Sequence, residues 1–301
     1  VAESNEVTIY DGDDPDMPMW MTFPVTNSSW LKHSGSGGCK AVVARDGIMV
    51  TGGDLRGSIV RFVADDGNVF ETGYNYEHRY ITTRNGVVGA ATGPIRIVNN
   101  TVNDVAMTVL PNAPIDADTG LPVPTIAVAT NGGVSVIKDD GTVVDITYTS
   151  YTGSNEVKFL PSGGLIYSTD NGNVNQRWIH VDHTLPSSDL NKNQVGYKGE
   201  FDDEMYHLVE SSTYAGEDIK LRIDNSTAGF IVDNSGDVVI GSSSTSGAGL
   251  GFISRNPSLP SEGLIAEITS DYNTGWMNGD IKLATLSDTD TTNATDSNVV
   301  N

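Results

Sequence analysis

The stretch TIAVATNGGVSVIKDDGTVVDITYT, residues 125–149, decides the fold. Two turn signals, Asn131-Gly132-Gly133 and Asp139-Asp140-Gly141, divide it into three runs of small and β-branched residues. Asn-Gly and Asp-Gly supply the positive φ that a tight hairpin needs, and β-branched runs favour strands. The stretch therefore predicts three consecutive antiparallel strands, over residues 125–130, 134–137 and 143–148.

The same kind of turn recurs along the chain, and this repetition points to an architecture. One hairpin is marginally stable alone, so a chain with many of them must stack or circle them around a shared interior. A second strand–turn–strand follows at residues 155–168. Further turns of this type stand at residues 65–69, 170–174 and 233–238, with shorter versions at 45–47 and 84–86.

The predicted fold class is all-β, and the predicted architecture is a β-propeller of about five to seven blades at roughly 42 residues per blade. Residues 125–130, rich in Ala and Val, are expected to be an inner strand of one blade. A β-sandwich or a β-helix is the alternative, because the repeats are irregular and no WD or kelch signature is present. Helix signals are scarce; residues 201–208 predict one or two helical turns.

The predicted domain organisation is one propeller-like domain over residues 1–286. The isolated strands at residues 6–10 and 281–286 are expected to pair and close the ring, which removes an open sheet edge. Residues 287–301 are rich in Asp, Thr and Asn and read as a polar linker to a missing downstream module.

Charge excludes some classes of partner. The chain has 39 acidic residues against 17 Lys and Arg, a net charge of −22. Such a chain is repelled by nucleic-acid phosphates and by anionic membranes, so we expect neither as a partner. No apolar run is long enough to span a membrane. The one cysteine, Cys39, is expected to be a small buried apolar side chain.

Three segments carry a resemblance to a known class of protein. They are Val7–Met21, the stretch from Asn103–Pro114 through Thr125–Gly141, and Tyr272–Lys282. These strings resemble segments in tail-fibre and tail structural proteins of bacteriophages, especially marine ones. The resemblance implies a virion or extracellular location and a role in tail architecture or host-surface contact. It implies no catalytic residue.

Aromatic residues in predicted loops are the candidates for ligand binding. Aromatic faces suit the apolar faces of sugar rings, so these side chains could stack on a glycan. Packing between blades is the plainer interpretation of the same residues. The candidates are Tyr74, Tyr76, Tyr148, Tyr151 and Trp178.

Two acidic loops are the candidates for a metal site. Hard cations such as Ca²⁺ prefer several oxygen ligands on a flexible loop. Solvated turns are the plainer interpretation, because neither loop completes the twelve-residue Ca²⁺ motif. Apart from Ca²⁺, no cofactor is predicted. The candidate ligands are Asp11, Asp13, Asp14 and Asp16 in the first loop, and Asp116 and Asp118 in the second.

The segment His180-Val181-Asp182-His183 is the densest group of potential metal ligands. In a strand, His180 and Asp182 share one face while His183 points to the other. A metal site would need a third ligand from elsewhere. Exposed polar residues at the end of a strand are the plainer interpretation.

The sequence therefore predicts a structural and adhesive component of a phage tail or fibre, without enzymatic activity. Its expected partners are other copies of the chain, other virion proteins and host glycans. One alternative is an extracellular surface or filament protein of an environmental microbe. The other is a glycan-cleaving depolymerase, because 39 acidic residues offer many carboxylate pairs.

Overall fold

A computed structural model shows the architecture of the chain. It describes residues 1–3, 5–25, 30–31, 38–72, 75–86, 96–148, 153–170, 176–182, 184–192, 206–209, 217–224, 229–233, 237–244, 247–254 and 264–269.

The predicted all-β class is confirmed: the described residues form strands and one 3₁₀-helix, Ile81–Thr83. The strands are β1 Glu6–Tyr10, β2 Met19–Pro24, β3 Cys39–Arg45, β4 Ile48–Gly53, β5 Gly57–Arg61, β6 Asp66–Phe70, β7 Asn75–Arg79, β8 Val102–Thr108, β9 Thr125–Thr130, β10 Gly133–Ile137, β11 Val143–Tyr148, β12 Gly153–Phe159, β13 Leu165–Asp170, β14 Gln176–Asp182, β15 Leu190–Lys192, β16 Tyr206–Val209, β17 Glu217–Asp224, β18 Gly229–Val232, β19 Val238–Ser244, β20 Gly247–Ser254 and β21 Leu264–Thr269.

The strands form one hairpin and four open sheets, built mainly from chain neighbours. The hairpin is β1-β2. Sheet I has the order β3-β4-β5-β6-β7, sheet II β15-β11-β10-β9-β8, sheet III β12-β13-β14-β17-β16 and sheet IV β18-β19-β20-β21. Neighbours run antiparallel except β15, which pairs parallel to β11. Consecutive strands pair so regularly because short turns can only return the chain antiparallel to itself.

The chain divides into two compact units, Val1–Asp224 and Asn225–Asn301. The first unit contains the hairpin and sheets I to III, and the second contains sheet IV. The predicted single domain over residues 1–286 stays a prediction, as does the linker at 287–301. Strand 281–286, the predicted partner of β1, lies outside the described residues.

In the first unit, sheet II lies between sheets I and III. Ile126 and Val128 of β9 pack against sheet I, together with Val50 and Phe70. The smaller side chains on the opposite face, including those of Ala127 and Ala129, pack against sheet III. Every residue of β9 and β10 is therefore buried. This explains why both strands are continuous runs of apolar and small residues rather than an alternating pattern.

The hairpin β1-β2 covers the outer face of sheet I. Val7 and Phe23 of the hairpin pack with Met49 and Val60 of the sheet, around the buried indole of Trp30. Two backbone hydrogen bonds join Val1 and Thr8, one in each direction, so the first residues of the chain lie alongside β1. The central strands β4, β5 and β6 of sheet I are therefore buried on both faces, by the hairpin on one side and by sheet II on the other.

The predicted turns at residues 45–47 and 139–141 are confirmed, whereas residues 171–174 of another predicted turn lie outside the described residues. Asp46 and Gly47 connect β3 to β4 with φ of 49° and 73°, and Gly141 connects β10 to β11 with φ of 82°. In the second unit the amide of Asp233 donates to the Asp237 carbonyl oxygen, at the turn between β18 and β19. Positive φ at Asp46, Gly47 and Gly141 is what Asp-Gly sequences were expected to supply.

Two local predictions were wrong. The turn predicted at residues 65–69 lies earlier, at 62–65, and Gly67 is inside β6. Glycine fits there because a Cβ would come 2.7 Å from the Ile59 carbonyl oxygen and 3.1 Å from the Trp30 ring. Tyr206–Val209 is a strand paired with β17, so the predicted helix at 201–208 does not include these residues. The sheet position of β9 was not predicted: β8 pairs with its other edge, so β8 is the first strand of sheet II.

Candidate functional site

Two aromatic rings, a histidine and a carboxylate meet where sheet III faces sheet II. Alternation along β13 and β14 places Tyr167 and Thr169 beside His180 and Asp182 on one face of sheet III. Tyr148, the last residue of β11, reaches them from sheet II. Tyr167, Thr169, His180 and Asp182 are buried, and Tyr148 is half-buried. We call these five residues the Tyr–His–Asp cluster.

Hydrogen bonds link the cluster in a defined direction. The Tyr167 hydroxyl donates to Asp182 Oδ2 at 3.1 Å and lies 2.7 Å from the Tyr148 hydroxyl. Because a hydroxyl has one proton, Tyr148 is then the donor to Tyr167. The chain of donors therefore runs from the half-buried Tyr148 inward to the buried carboxylate.

Ring stacking completes the cluster. The His180 imidazole stacks on the Tyr167 ring, with centroids 5.2 Å apart and planes inclined by 15°. Its Nε2 lies 2.9 Å from the Thr169 hydroxyl. The Tyr148 ring is 5.0 Å from the imidazole on a tilted approach. Such packing fixes every ring, so Tyr148 is held as a rigid aromatic surface.

The shared face of His180 and Asp182 is confirmed, but the expectation that they are exposed was wrong. The exposed fraction is 1% for His180 and 4% for Asp182. Alternation along the strand revealed their common face, whereas their burial depends on sheet II, which the local sequence does not specify. Burial at this depth keeps both side chains away from a polymeric ligand.

The predicted aromatic residues do not form one group. Tyr76, near the start of β7, has the Arg56 guanidinium 5.6 Å above its ring, and Arg56 forms an ion pair with Glu71. Tyr148 belongs to the Tyr–His–Asp cluster instead. Tyr74 and Tyr151 lie outside the described residues. The backbone of Trp178 pairs with Thr169, and its side chain is outside the described part of the structure.

The described aromatic candidates nevertheless share one end of the stacked sheets. Tyr76 near the start of β7, Tyr148 at the end of β11 and Trp178 near the start of β14 all lie there, and we call it the aromatic end. Hydrogen bonds tie the sheets together at this end: the Thr101 hydroxyl donates to the Asp54 carbonyl oxygen and Asn103 Nδ2 donates to the Ser154 carbonyl oxygen.

The two acidic loops lie at the opposite end, which we call the acidic end. Gly47, Val63 and Leu121 come together there, joining the β3–β4 turn, the β5–β6 turn and the loop over residues 115–122. The tip of hairpin β1-β2 reaches the same end, because the Trp20 ring lies 5.7 Å from the Phe62 ring. The predicted aromatic and acidic candidates are therefore on opposite ends of the first unit.

Carboxylates in both acidic loops accept hydrogen bonds from their own backbone. Asp11 Oδ1 accepts from the Asp13 amide at 3.1 Å, and Asp14 Oδ1 accepts from the Asp16 amide at 2.9 Å. Asp116 Oδ1 accepts from two amides of its loop, and these bonds, the Thr119 amide foremost, lower the pKa of Asp116. Such bonds stabilise the turns without any ion.

Within the described ranges, no group of three or more His, Cys, Asp or Glu side chains is placed to hold a metal ion. The Ca²⁺ assignment to Asp11, Asp13, Asp14, Asp16, Asp116 and Asp118 stays a prediction. Cys39 is buried and donates to the Ala41 carbonyl oxygen at 3.4 Å, and burial raises its pKa to about 11.

One pair of carboxylates was not predicted from the sequence. Burial raises the pKa of Asp145, and the negative charge of Asp189 adds to this effect, while a hydrogen bond from the Ser135 hydroxyl opposes it. The Asp145 amide donates to Asp189 Oδ1 at 3.0 Å. The pair arises because β15 lies parallel to β11, a contact between residues distant in sequence.

His78 gives the first unit a specific dependence on pH. Its ring is buried and stacks on Trp30, with centroids 5.0 Å apart, and burial lowers its pKa from 6.5 to about 4. Between these values the unfolded chain binds the proton more readily than the folded one, so the free energy of unfolding falls as the pH is lowered. We expect urea midpoints of the wild type and His78→Phe to diverge from pH 7 to pH 4.

The divergence should favour His78→Phe at acid pH, since phenylalanine keeps a ring against Trp30 and has no proton to bind. Below about pH 4 the two curves should run parallel, because His78 is then protonated in both states. Parallel curves across the whole range would show that His78 is not the group responsible.

In the part of the chain that the structure describes, no helix has the length and apolar character needed to cross a membrane.

Comparison with known proteins shows no family. No family model matches the chain, and no curated protein does. Among solved structures it is similar to the extracellular domain of a bacterial one-component system, BT4673 from B. thetaiotaomicron, at 12% identity and a TM-score of 0.21. The match covers 87% of this chain and 47% of that one, so the chain spans about half the length of the protein it matches. A likeness at this TM-score carries no argument about fold or function.

Proposed function

We propose that the chain is a structural and adhesive component of a phage tail or fibre, built as a β-propeller and located in the virion. Its partners are other copies of the chain, other virion proteins and host-surface glycans. The virion assignment rests on the resemblance of the sequence segments quoted above.

The observation that carries the proposal is the serial stacking of sheets I, II and III. Each begins with a meander of neighbouring strands, and β8, the first strand of sheet II, packs against both β3 and β12, the first strands of the sheets on either side. In a β-propeller, the first strands of neighbouring blades lie side by side around the central axis, as these three strands would. A rigid stack of this kind suits a protein that bears load and displays loops.

Glycan binding is assigned to the aromatic end, with Tyr148 as the best-supported contact. Its ring is half-buried and immobilised by Tyr167 and His180, so a sugar stacking on it would cost little side-chain entropy. Tyr76 is a weaker candidate, because Arg56 already covers part of its ring.

The test measures binding of the purified chain to immobilised neutral polysaccharides: dextran, mannan and galactan. We expect saturable binding to at least one of them, and a loss of about three- to tenfold in affinity for Tyr148→Ala. Tyr148→Phe, which keeps the ring, should retain most of the binding. Tyr10→Ala, at the acidic end, is the matched control and should bind like the wild type.

Three results would contradict this function. Equal binding by Tyr148→Ala and the wild type would remove the aromatic end from the proposal. New reducing ends in the incubated polysaccharide, lost in Asp145→Asn, would favour the depolymerase alternative, whose acid pair would be Asp145 and Asp189. Immunogold labelling of virus particles from the source culture tests the virion location, and unlabelled particles would favour the microbial surface protein.

A further inference from the structure

The tip of hairpin β1-β2 exposes a group of large apolar side chains. Tyr10, Met17, Met19 and Trp20 are 42%, 56%, 59% and 57% exposed. Tyr10 and Met19 face each other as partners across the hairpin. Single exposed apolar residues are common on protein surfaces, whereas a contiguous group marks a surface that is covered by something else. We call these four residues the hairpin tip.

The hairpin tip is preorganised rather than loose. Trp20 rests against Phe62, and Phe62 in turn makes an edge contact with the buried Phe23, with ring centroids 6.1 Å apart. Within the turn, the Met17 amide donates to the Asp14 carbonyl oxygen, and the Asp11 amide donates to the Pro18 carbonyl oxygen. A surface already held in place loses little conformational entropy when a partner covers it.

Carboxylates surround this apolar group. Asp11, Asp13, Asp14 and Asp16 lie in the same turn and are all exposed. The neighbouring turns at the acidic end add further acidic residues: Asp46, Asp65, Asp66, Asp116, Asp118, Asp139 and Asp140. Two arginines at this end are already paired, Arg45 with Asp46 and Arg61 with Asp66.

The negative charge around the hairpin tip determines which kind of partner can bind there. A second copy docking through the same surface would set like charges against each other, and anionic lipids and nucleic acids are repelled. A partner with Lys and Arg around an apolar anchor complements both features. We propose that the hairpin tip is a docking surface for a protein partner of that chemistry, with Trp20 as the central anchor.

The experiment uses the full chain and a synthetic peptide of leucine and lysine blocks, with a lysine-acetylated peptide of the same sequence as the charge control. Isothermal titration calorimetry measures affinity at several salt concentrations. We expect Trp20→Ser to weaken binding about tenfold or more, as an aromatic anchor at the centre of an interface does. The acetylated peptide should bind much more weakly than the cationic one.

Charge is tested at the two acids of the turn whose side chains are not used in its hydrogen bonds. Asp13→Asn/Asp16→Asn should lower affinity and flatten its dependence on salt. The charge-matched control is Glu3→Gln/Glu77→Gln, which removes two exposed acids away from the acidic end. The apolar control is Leu55→Ser, a side chain 41% exposed at the aromatic end. Both controls should stay within about twofold of the wild type.

Three outcomes would overturn the proposal. The first is an absence of saturable binding to the cationic peptide. The second is an equal loss of affinity in the tip variants and their controls, which would mean diffuse attraction by the net charge. The third is unchanged affinity in Trp20→Ser, since circular dichroism can verify that this surface substitution leaves the fold intact.

Discussion

Replacing Gly133 with alanine is expected to lower the free energy of unfolding by about 3 kcal/mol or more. Gly133 begins β10 with φ of 131°, a conformation that residues with a side chain rarely adopt. A Cβ at this position would lie 2.1 Å from the Ile146 carbonyl oxygen, so the backbone pairing of β10 with β11 would have to shift. Urea unfolding followed by intrinsic fluorescence measures the loss.

Alanine substitutions at two other glycines distinguish the effect of backbone strain from that of a steric clash. Gly141 has φ of 82° and open space around it, so Gly141→Ala should show backbone strain alone, about 1 kcal/mol. Gly12 has neither a positive φ nor a neighbour within 4 Å, and Gly12→Ala should stay within about 0.5 kcal/mol of the wild type. If Gly133→Ala were no worse than Gly141→Ala, the close approach of Ile146 would be refuted.

Truncating Trp30 to alanine is the other change with a large expected effect, about 3–5 kcal/mol. Trp30 is the largest fully buried side chain among the residues that the structure describes, and it fills the space between hairpin β1-β2 and sheet I. Its loss would leave a cavity beside His78 and under Gly67, which cannot be filled by small adjustments. The urea midpoint should fall accordingly, with an unchanged slope if the unfolded state is unaffected.

Trp20→Ala is the matched control, because Trp20 is a tryptophan of the same hairpin region with more than half of its surface exposed. It should cost less than about 1 kcal/mol. Trp30→Phe should lie between the two alanine variants, since it retains a ring against His78. Similar losses for Trp20→Ala and Trp30→Ala would mean that the hairpin does not bury Trp30 against sheet I.

Local sequence predicted three consecutive strands of the middle sheet well. Residues 125–130, 134–137 and 143–148 were predicted as strands, and the structure has Thr125–Thr130, Gly133–Ile137 and Val143–Tyr148. This succeeded because β-branched runs separated by Asp-Gly or Asn-Gly turns carry both the strand and the reversal in one short window. The all-β class followed from the same signal.

Contacts between segments that are distant in sequence could not be predicted from local sequence. Strand β8 pairs with β9 across a connection of many residues, and β16 forms only because β17 accepts it as a neighbour. For the candidate site, alternation correctly placed His180 and Asp182 on one face. Their burial, and their link to Tyr148, depend on how sheets II and III meet, which depends on side-chain packing rather than on any single motif.

Because β9 and β10 are buried on both faces, they affect how the first unit folds and unfolds. A β-strand with one solvent-exposed face can persist while its neighbours rearrange, but β9 and β10 have no such face, since sheets I and III cover them on opposite sides. Peeling away either cover would expose a wide apolar area to water at once. The amides of β9 and β10 should therefore exchange their hydrogens only through opening of the whole stack. We expect these two strands to show the slowest amide exchange among the described strands of the first unit.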